Sequence, residues 1–148
     1  MSATYYGMRM AAALGALLLV GGVGARAEDA AKDHGPIAWT ESLDAAKKTA
    51  AKEKKVIFVD FWAPWCGPCK QMLKTTYQDK QVVERSKQFV PVLINFDKEP
   101  GIVKKYNIGA IPVVLFLDAN GNVIKKGAFM DAKTMLKTMD EVSKKKRG

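Results

Sequence analysis

The chain has 148 residues, with 24 Lys+Arg against 15 Asp+Glu, one His and two Cys, for a formal net charge of +9 at pH 7. Two cysteines three positions apart do not make a disulfide scaffold, and a domain of this size builds its core without one. The lysines are scattered singly and in pairs, without aromatic interleaving or a base-reading module, which argues against nucleic acid as a partner. The one dense run, Lys144 to Arg147, suits a solvated helix end, where cations are favoured.

Residues 1–27 read as an address. Arg9 precedes an uncharged stretch from Met10, and Ala25, Arg26 and Ala27 close it. A basic start, an apolar middle and an Ala-x-Ala end form the pattern of a cleaved secretory signal, with cleavage expected after Ala27. The stretch falls short of the about 20 apolar residues that span a bilayer. An uncleaved N-terminal anchor is the competing reading. The expected location is therefore periplasmic or secreted. Residues 28–36 then form a polar, flexible segment and 37–148 a single domain. The basic balance left after residue 27 is compatible with acidic partners or anionic lipid, but scattered, solvated lysines explain it more cheaply.

Ser42 caps a helix through about Glu53, with Leu43, Ala46 and Ala50 on one face. "VIFVDFW" from Val56 is a buried strand. A helix follows from near Cys66 through about Tyr77, turning Met72, Leu73 and Tyr77 inward. A short helix around Gln81 to Lys87 leads to a second buried strand, Val90 to Phe96, and Gly101 to Tyr106 makes a helical turn. Val113 to Leu117 is a third strand. Asp118 to Gly121 is a turn signal, and Asn122 to Gly127 the returning hairpin strand. The last helix, from about Ala132, is capped by Asp131. It aligns Ala132, Met135, Leu136, Met139 and Val142 in one stripe, the Met residues serving as core filler. Strand–helix–strand followed by hairpin–helix predicts an α/β architecture, a mixed sheet with helices on both faces.

"FWAPWCGPCK", Phe61 to Lys70, holds both cysteines. As a staple, a bridge closing so short a loop removes little unfolded-state entropy. As a metal clip, two thiols fall short of the four ligands of structural zinc. His34, the single His, reads as a solvated residue of the polar segment, so no metal is expected, a site shared between two chains being the exception. Working thiols remain. A strand ending at Trp62, a turn and a helix starting at Cys66 put the first sulfur at the positive helix end, which stabilises a thiolate. Cys69 lies one turn inside, more buried. Gly67 gives the turn room, and Pro68 is tolerated in a first turn. Cys66 attacks a disulfide as nucleophile, and Cys69 resolves the mixed disulfide.

At these residues the chain resembles the thioredoxin superfamily. "VDFWAPWCGPCK" is similar to that family's active-site segment almost position by position, and the likeness runs through "IPVVLFLDANGNV" and Gly127 to Phe129. "WTESLDAAKKTAAKEKK" and "TTYQDKQVVERSKQFVPV" resemble secreted thioredoxin-like proteins, including the C-terminal domain of the membrane thiol:disulfide interchange protein. The resemblance implies a thioredoxin fold with four or five strands, a redox-active Cys66–Cys69 disulfide and no other cofactor.

Asp60 shares the strand face of Phe58 and Trp62, so burial should raise its pKa toward neutrality. The resemblance implies that it accepts the proton of Cys69; a strand-end carboxyl satisfied by backbone donors is the plainer alternative. Where cytosolic members carry a Lys near this carboxyl, the matching residue is Leu93, and losing that cation should leave the Asp60 pKa higher. The resemblance also implies a cis Ile111–Pro112 bond facing Cys66, with the Ile111 backbone pairing to substrate; an ordinary strand-start Pro is the alternative. Trp65 is read as shielding the sulfur and touching substrate, Trp62 and Trp39 as packing, Lys70 as a solvated lysine.

Gly67 and Pro68 resemble the reducing branch of the family. The expectation is a periplasmic reductase of protein disulfides, acting as a monomer and recharged by a membrane thiol reductase. A dithiol oxidase or isomerase, and a non-catalytic binding module or metallochaperone, are the alternatives.

Overall fold

A computed structural model of the chain describes residues 34–147, with side chains through residue 145. The signal, its cleavage point and residues 28–33 lie outside the described residues.

Helix α1 (Leu43–Glu53) starts where Ser42, in extended backbone, accepts a hydrogen bond from the Ala45 N–H, and ends at left-handed Lys54. Strand β1 (Val56–Trp62) is buried along its length up to a half-buried Trp62. Helix α2 (Gly67–Lys74) is shorter than the periodicity suggests. The backbone breaks at Thr75 and continues as a 3-10 turn, Thr76–Gln78. Two β-branched residues weaken the helix there, and the buried Thr76 hydroxyl donates to the Met130 carbonyl at 2.7 Å, a bond that a continuing helix does not supply. Tyr77 remains fully buried.

Asp79 caps α3 (Lys80–Ser86), its carboxylate accepting from the Gln81 and Val82 N–H groups. Strand β2 (Phe89–Asn95) leads to α4 (Pro100–Lys105), and β3 (Val113–Leu117) to β4 (Val123–Gly127) through the expected turn. There Asp118 accepts from Asn120 and Asn122 while Gly121 takes φ +90°, a conformation that suits glycine. Helix α5 (Ala132–Arg147) begins with the Asp131 carboxylate accepting from the Thr134 N–H at 2.7 Å.

The sheet order is β2-β1-β3-β4, with β1 parallel to β2 and antiparallel to β3. Thr40 adds a single parallel bridge to Val92 outside β2, so four strands form among the described residues and one bridge holds the fifth place. Core forms on both faces. Leu43, Ala46 and Ala50 of α1 cover Ile57, Val59 and Phe61; Met72, Tyr77, Met135 and Met139 cover Phe58 and Phe116.

Candidate active site

β1 carries the chain to the sheet's end, and Ala63 to Trp65 turn it into α2. Cys66 is the N-cap of α2, in extended backbone, and its Sγ accepts the Cys69 N–H at 3.2 Å. The two sulfurs are joined in a disulfide with the Cα atoms 5.3 Å apart. Pro68 falls in the first turn, as its missing N–H requires. A thiolate at Cys66 would meet the free N–H groups of a helix start, the local field that stabilises negative sulfur. Both cysteines are buried, Cys69 slightly more, against Ala63, Trp62, Phe96 and Ile111.

The Ile111–Pro112 bond is cis, and Ile111 packs against the cysteine cluster. Trp65 is 63% exposed beside Cys66. Its indole donates to Asp97 Oδ2 at 2.8 Å and meets the Phe96 ring edge-on, so the exposed ring is held rather than free. Trp62 packs between the aromatic core and the cysteines, Trp39 against Phe58 and Tyr77, and Lys70 is exposed.

Two expectations are corrected. His34 is not solvated: it is 6% exposed, with its ring edge-on to Trp62 at 4.3 Å. Gly35 turns the chain at φ +83°, the Trp39 indole donates to the His34 carbonyl, and buried Ile37 anchors this strap across the end of β1. Gly67 does not give the turn room either. It lies in regular helix, and a Cβ added there would meet nothing within 4 Å. Its missing side chain leaves open surface beside Cys66.

Asp60 is 1% exposed, on the face of Phe58 and Trp62. Burial pushes its carboxyl up to about 7, and the Tyr77 hydroxyl pulls in the other direction. Its cross-strand partners are Leu93 on β2 and Val114 on β3, both apolar, so Leu93 is the residue that stands beside it on β2. Neither Asp60 oxygen forms a hydrogen bond of ordinary geometry, which leaves the strand-end alternative without its backbone donors. Burial, then the Asp60 charge, drive the Tyr77 phenol well above its ordinary range. No group of three or more His, Cys, Asp or Glu side chains suited to a metal occurs among the described residues.

Tyr77 and Asp97 were not legible as site residues. Tyr77 reads as one more inward-facing core position, and Asp97 as a loop carboxylate 32 residues from Trp65.

The chain matches the Thioredoxin-like family over residues 38–119. It is 43% identical to Thioredoxin M-type, chloroplastic, of Spinacia oleracea over 49% of this chain and 40% of that one. It is 30% identical to Thioredoxin 1 of Synechococcus elongatus over 66% of this chain and 91% of that one. To Thiol:disulfide interchange protein DsbD of Haemophilus influenzae it is 30% identical, over 63% of this chain but 17% of the other. A solved thioredoxin from Thermus thermophilus superposes with a TM-score of 0.67, at 19% identity, covering 74% of this chain and 89% of that one. Together with the Cys66–Cys69 disulfide at the start of α2, these likenesses establish the chain as a member of the thioredoxin-like family, a thiol–disulfide oxidoreductase with a redox cysteine pair.

Proposed function

We propose that the protein is exported to the periplasm and reduces disulfides of client proteins there. The observation that carries the reading is Cys66 at the mouth of α2, its Sγ taking the Cys69 N–H, with Ile111 packed on the cysteines. In this reading Trp65, Gly67, Pro68, Ile111 and Pro112 receive an extended client segment. In the reduced protein the Cys66 thiolate attacks a client disulfide, forming a Cys66–client bond and releasing one client thiolate, which takes a proton from solvent. Cys69 gives its proton to the Asp60 carboxylate and attacks Cys66. The mixed disulfide breaks, the Cys66–Cys69 bond forms, and the second client thiolate leaves. Two electrons have moved from the cysteine pair to the client.

Direction follows from potential. Thioredoxin stands at about −270 mV and a strong periplasmic oxidase at about −120 mV, a gap of roughly 7 kcal/mol for two electrons. In an oxidising compartment such a pair stays reduced only when a donor recharges it. A membrane thiol reductase fits that need, and the match to a thiol:disulfide interchange protein supports dithiol exchange as the means.

The test is a trap and a potential. Cys69→Ser should accumulate mixed disulfides on Cys66, which mass spectrometry of the captured adducts reads directly, and Cys66→Ser should accumulate none. Equilibration of the wild type with a dithiol buffer should give a potential well below about −180 mV. A higher value would assign the pair to oxidation or isomerisation, and a Cys69→Ser variant that captures nothing would reduce the site to a binding module.

A further inference from the structure

Six polar side chains are buried in the described part of the molecule besides the cysteines: His34, Asp60, Thr76, Tyr77, Ser86 and Thr138. The hydroxyls of Thr76, Ser86 and Thr138 each donate to a backbone carbonyl, at 2.7 to 2.9 Å. Asp60 and Tyr77 differ. Both carboxylate oxygens and the phenol oxygen are fully enclosed without a hydrogen-bond partner in ordinary geometry. Buried polar groups are so rarely left unpaired that two on one side of the sheet invite a joint explanation.

Packing does not explain the phenol. The Tyr77 ring meets Trp39 edge-on at 5.1 Å and Phe58 at 6.0 Å, contacts that a phenylalanine would make equally well. What the hydroxyl adds is a buried donor on the same side of the sheet as the Asp60 carboxyl, beside Phe58. It sits on a 3-10 turn placed there by the break of α2 at Thr75, where the charge of one group bears on the other. The neighbouring strands set no polar side chain opposite that carboxyl. Leu93 stands beside it on β2 and Val114 on β3. The remaining ionisable ring on this side, His34, packs against Trp62, further along β1.

We infer that Tyr77 is a positioning residue for the resolving step: its hydroxyl, closing on Asp60, holds that carboxylate in the charged form that takes the Cys69 proton. The inference rests on the reading of Cys69 and Asp60 given under the proposed function. A neutral donor thereby stands where a cation is lacking at Leu93. Donation to the ionised carboxylate favours the charged form against the desolvation that opposes it.

The test uses Tyr77→Phe, which keeps the ring and its contacts, in the reduced full-length protein. A chromogenic aryl disulfide releases one thiolate when Cys66 attacks it and a second when Cys69 resolves the adduct, so stopped-flow absorbance separates the steps. The acid limb of the second phase should move up by about one pH unit in Tyr77→Phe, a slowing of about tenfold near pH 6, with the first phase unchanged. In an Asp60→Asn background the same substitution should shift nothing further. A lost packing contact would lower stability but leave this pH midpoint in place. An unshifted acid limb, or a shift that persists without the Asp60 carboxylate, overturns the inference. Infrared titration of the Asp60 carboxyl in the oxidised proteins, assigned by difference from Asp60→Asn, gives an independent reading: an Asp60 midpoint equal in wild type and Tyr77→Phe refutes the pair. Should the wild type show neither thiolate phase, the reductase reading falls on its own, while the infrared titration still decides the pair.

Discussion

Ile57, Val59 and Phe61 point from β1 into the layer beneath α1 and α4, while their neighbours Phe58, Asp60 and Trp62 point the opposite way, beneath α2 and α5. The first face is all hydrocarbon, closed by alanines of α1 and aliphatic residues of the sheet. The second stacks Phe58 on Phe116 and then, one strand step further on, encloses a carboxyl with no hydrogen-bond partner in ordinary geometry. Both faces are equally dry, with Phe61 at 0% and Asp60 at 1% exposure. Dryness therefore does different things on the two sides. On one it stabilises the fold; on the other it raises a carboxyl to a range where it exchanges protons at neutral pH, at a cost to the fold.

The comparison breaks first at Phe61. Phe61→Ala should destabilise the oxidised protein by about 3–5 kcal/mol, the usual cost of emptying a filled aromatic site, and by the same amount at every pH. Denaturant unfolding across pH would show this. A loss under about 1 kcal/mol, small for a core truncation, would mean the α1 face is less tightly filled than its burial implies.

Asp60 should behave in the opposite manner. Its folded-state pKa is raised from 3.8 to about 7, so between these values the folded protein binds more protons than the unfolded chain. Stability from this group is fully present below pH 3.8 and is lost as pH rises through about 7. The loss amounts to about 4 kcal/mol at most across that window. Asp60→Asn should flatten this part of the slope while slowing resolution by Cys69. The oxidised form is the one to measure, because its cysteines are bonded and do not titrate. A wild type whose stability rises from acid to neutral pH by a term that Asp60→Asn removes would reverse the sign and dismiss the desolvation account.

How much of this was legible in the sequence depends on how far apart the interacting residues lie. The Ser42 cap, the strands and the stripe on α5 were readable because each is a local pattern of a few turns. The cysteines were readable because a helix start, a turn and two thiols fall within ten residues. Asp60 could be placed on its face by alternation alone. The end of α2 could not, since its break is stabilised by a Thr76 bond to the Met130 carbonyl, and periodicity is blind to a partner 54 residues away. His34 on Trp62, Trp65 on Asp97 and Tyr77 on Asp60 were missed for the same reason. Each joins two segments whose meeting is set by tertiary packing, where one residue looks like loop or core when read by itself.

The smallest and sharpest effect is expected at Leu93, the cross-strand partner of Asp60 on β2. Leu93 is 3% exposed, yet it also lines a cavity of about 270 Å³ with Trp62, Asn95 and Glu99, which gives a longer side chain somewhere to go. Leu93→Lys brings a cation to the Asp60 face, and an opposite charge close by should lower that carboxyl by about one to two pH units. The acid limb of resolution should then move down, the direction opposite to Tyr77→Phe, and the stability lost with rising pH should be complete nearer pH 6. Glu99 competes for the new ammonium. If the amine turns into the cavity and pairs there, Asp60 keeps its titration and neither the resolving step nor the stability slope will move. That result would leave the Asp60 carboxyl governed by desolvation and the Tyr77 hydroxyl alone, closed to a charge placed on the neighbouring strand.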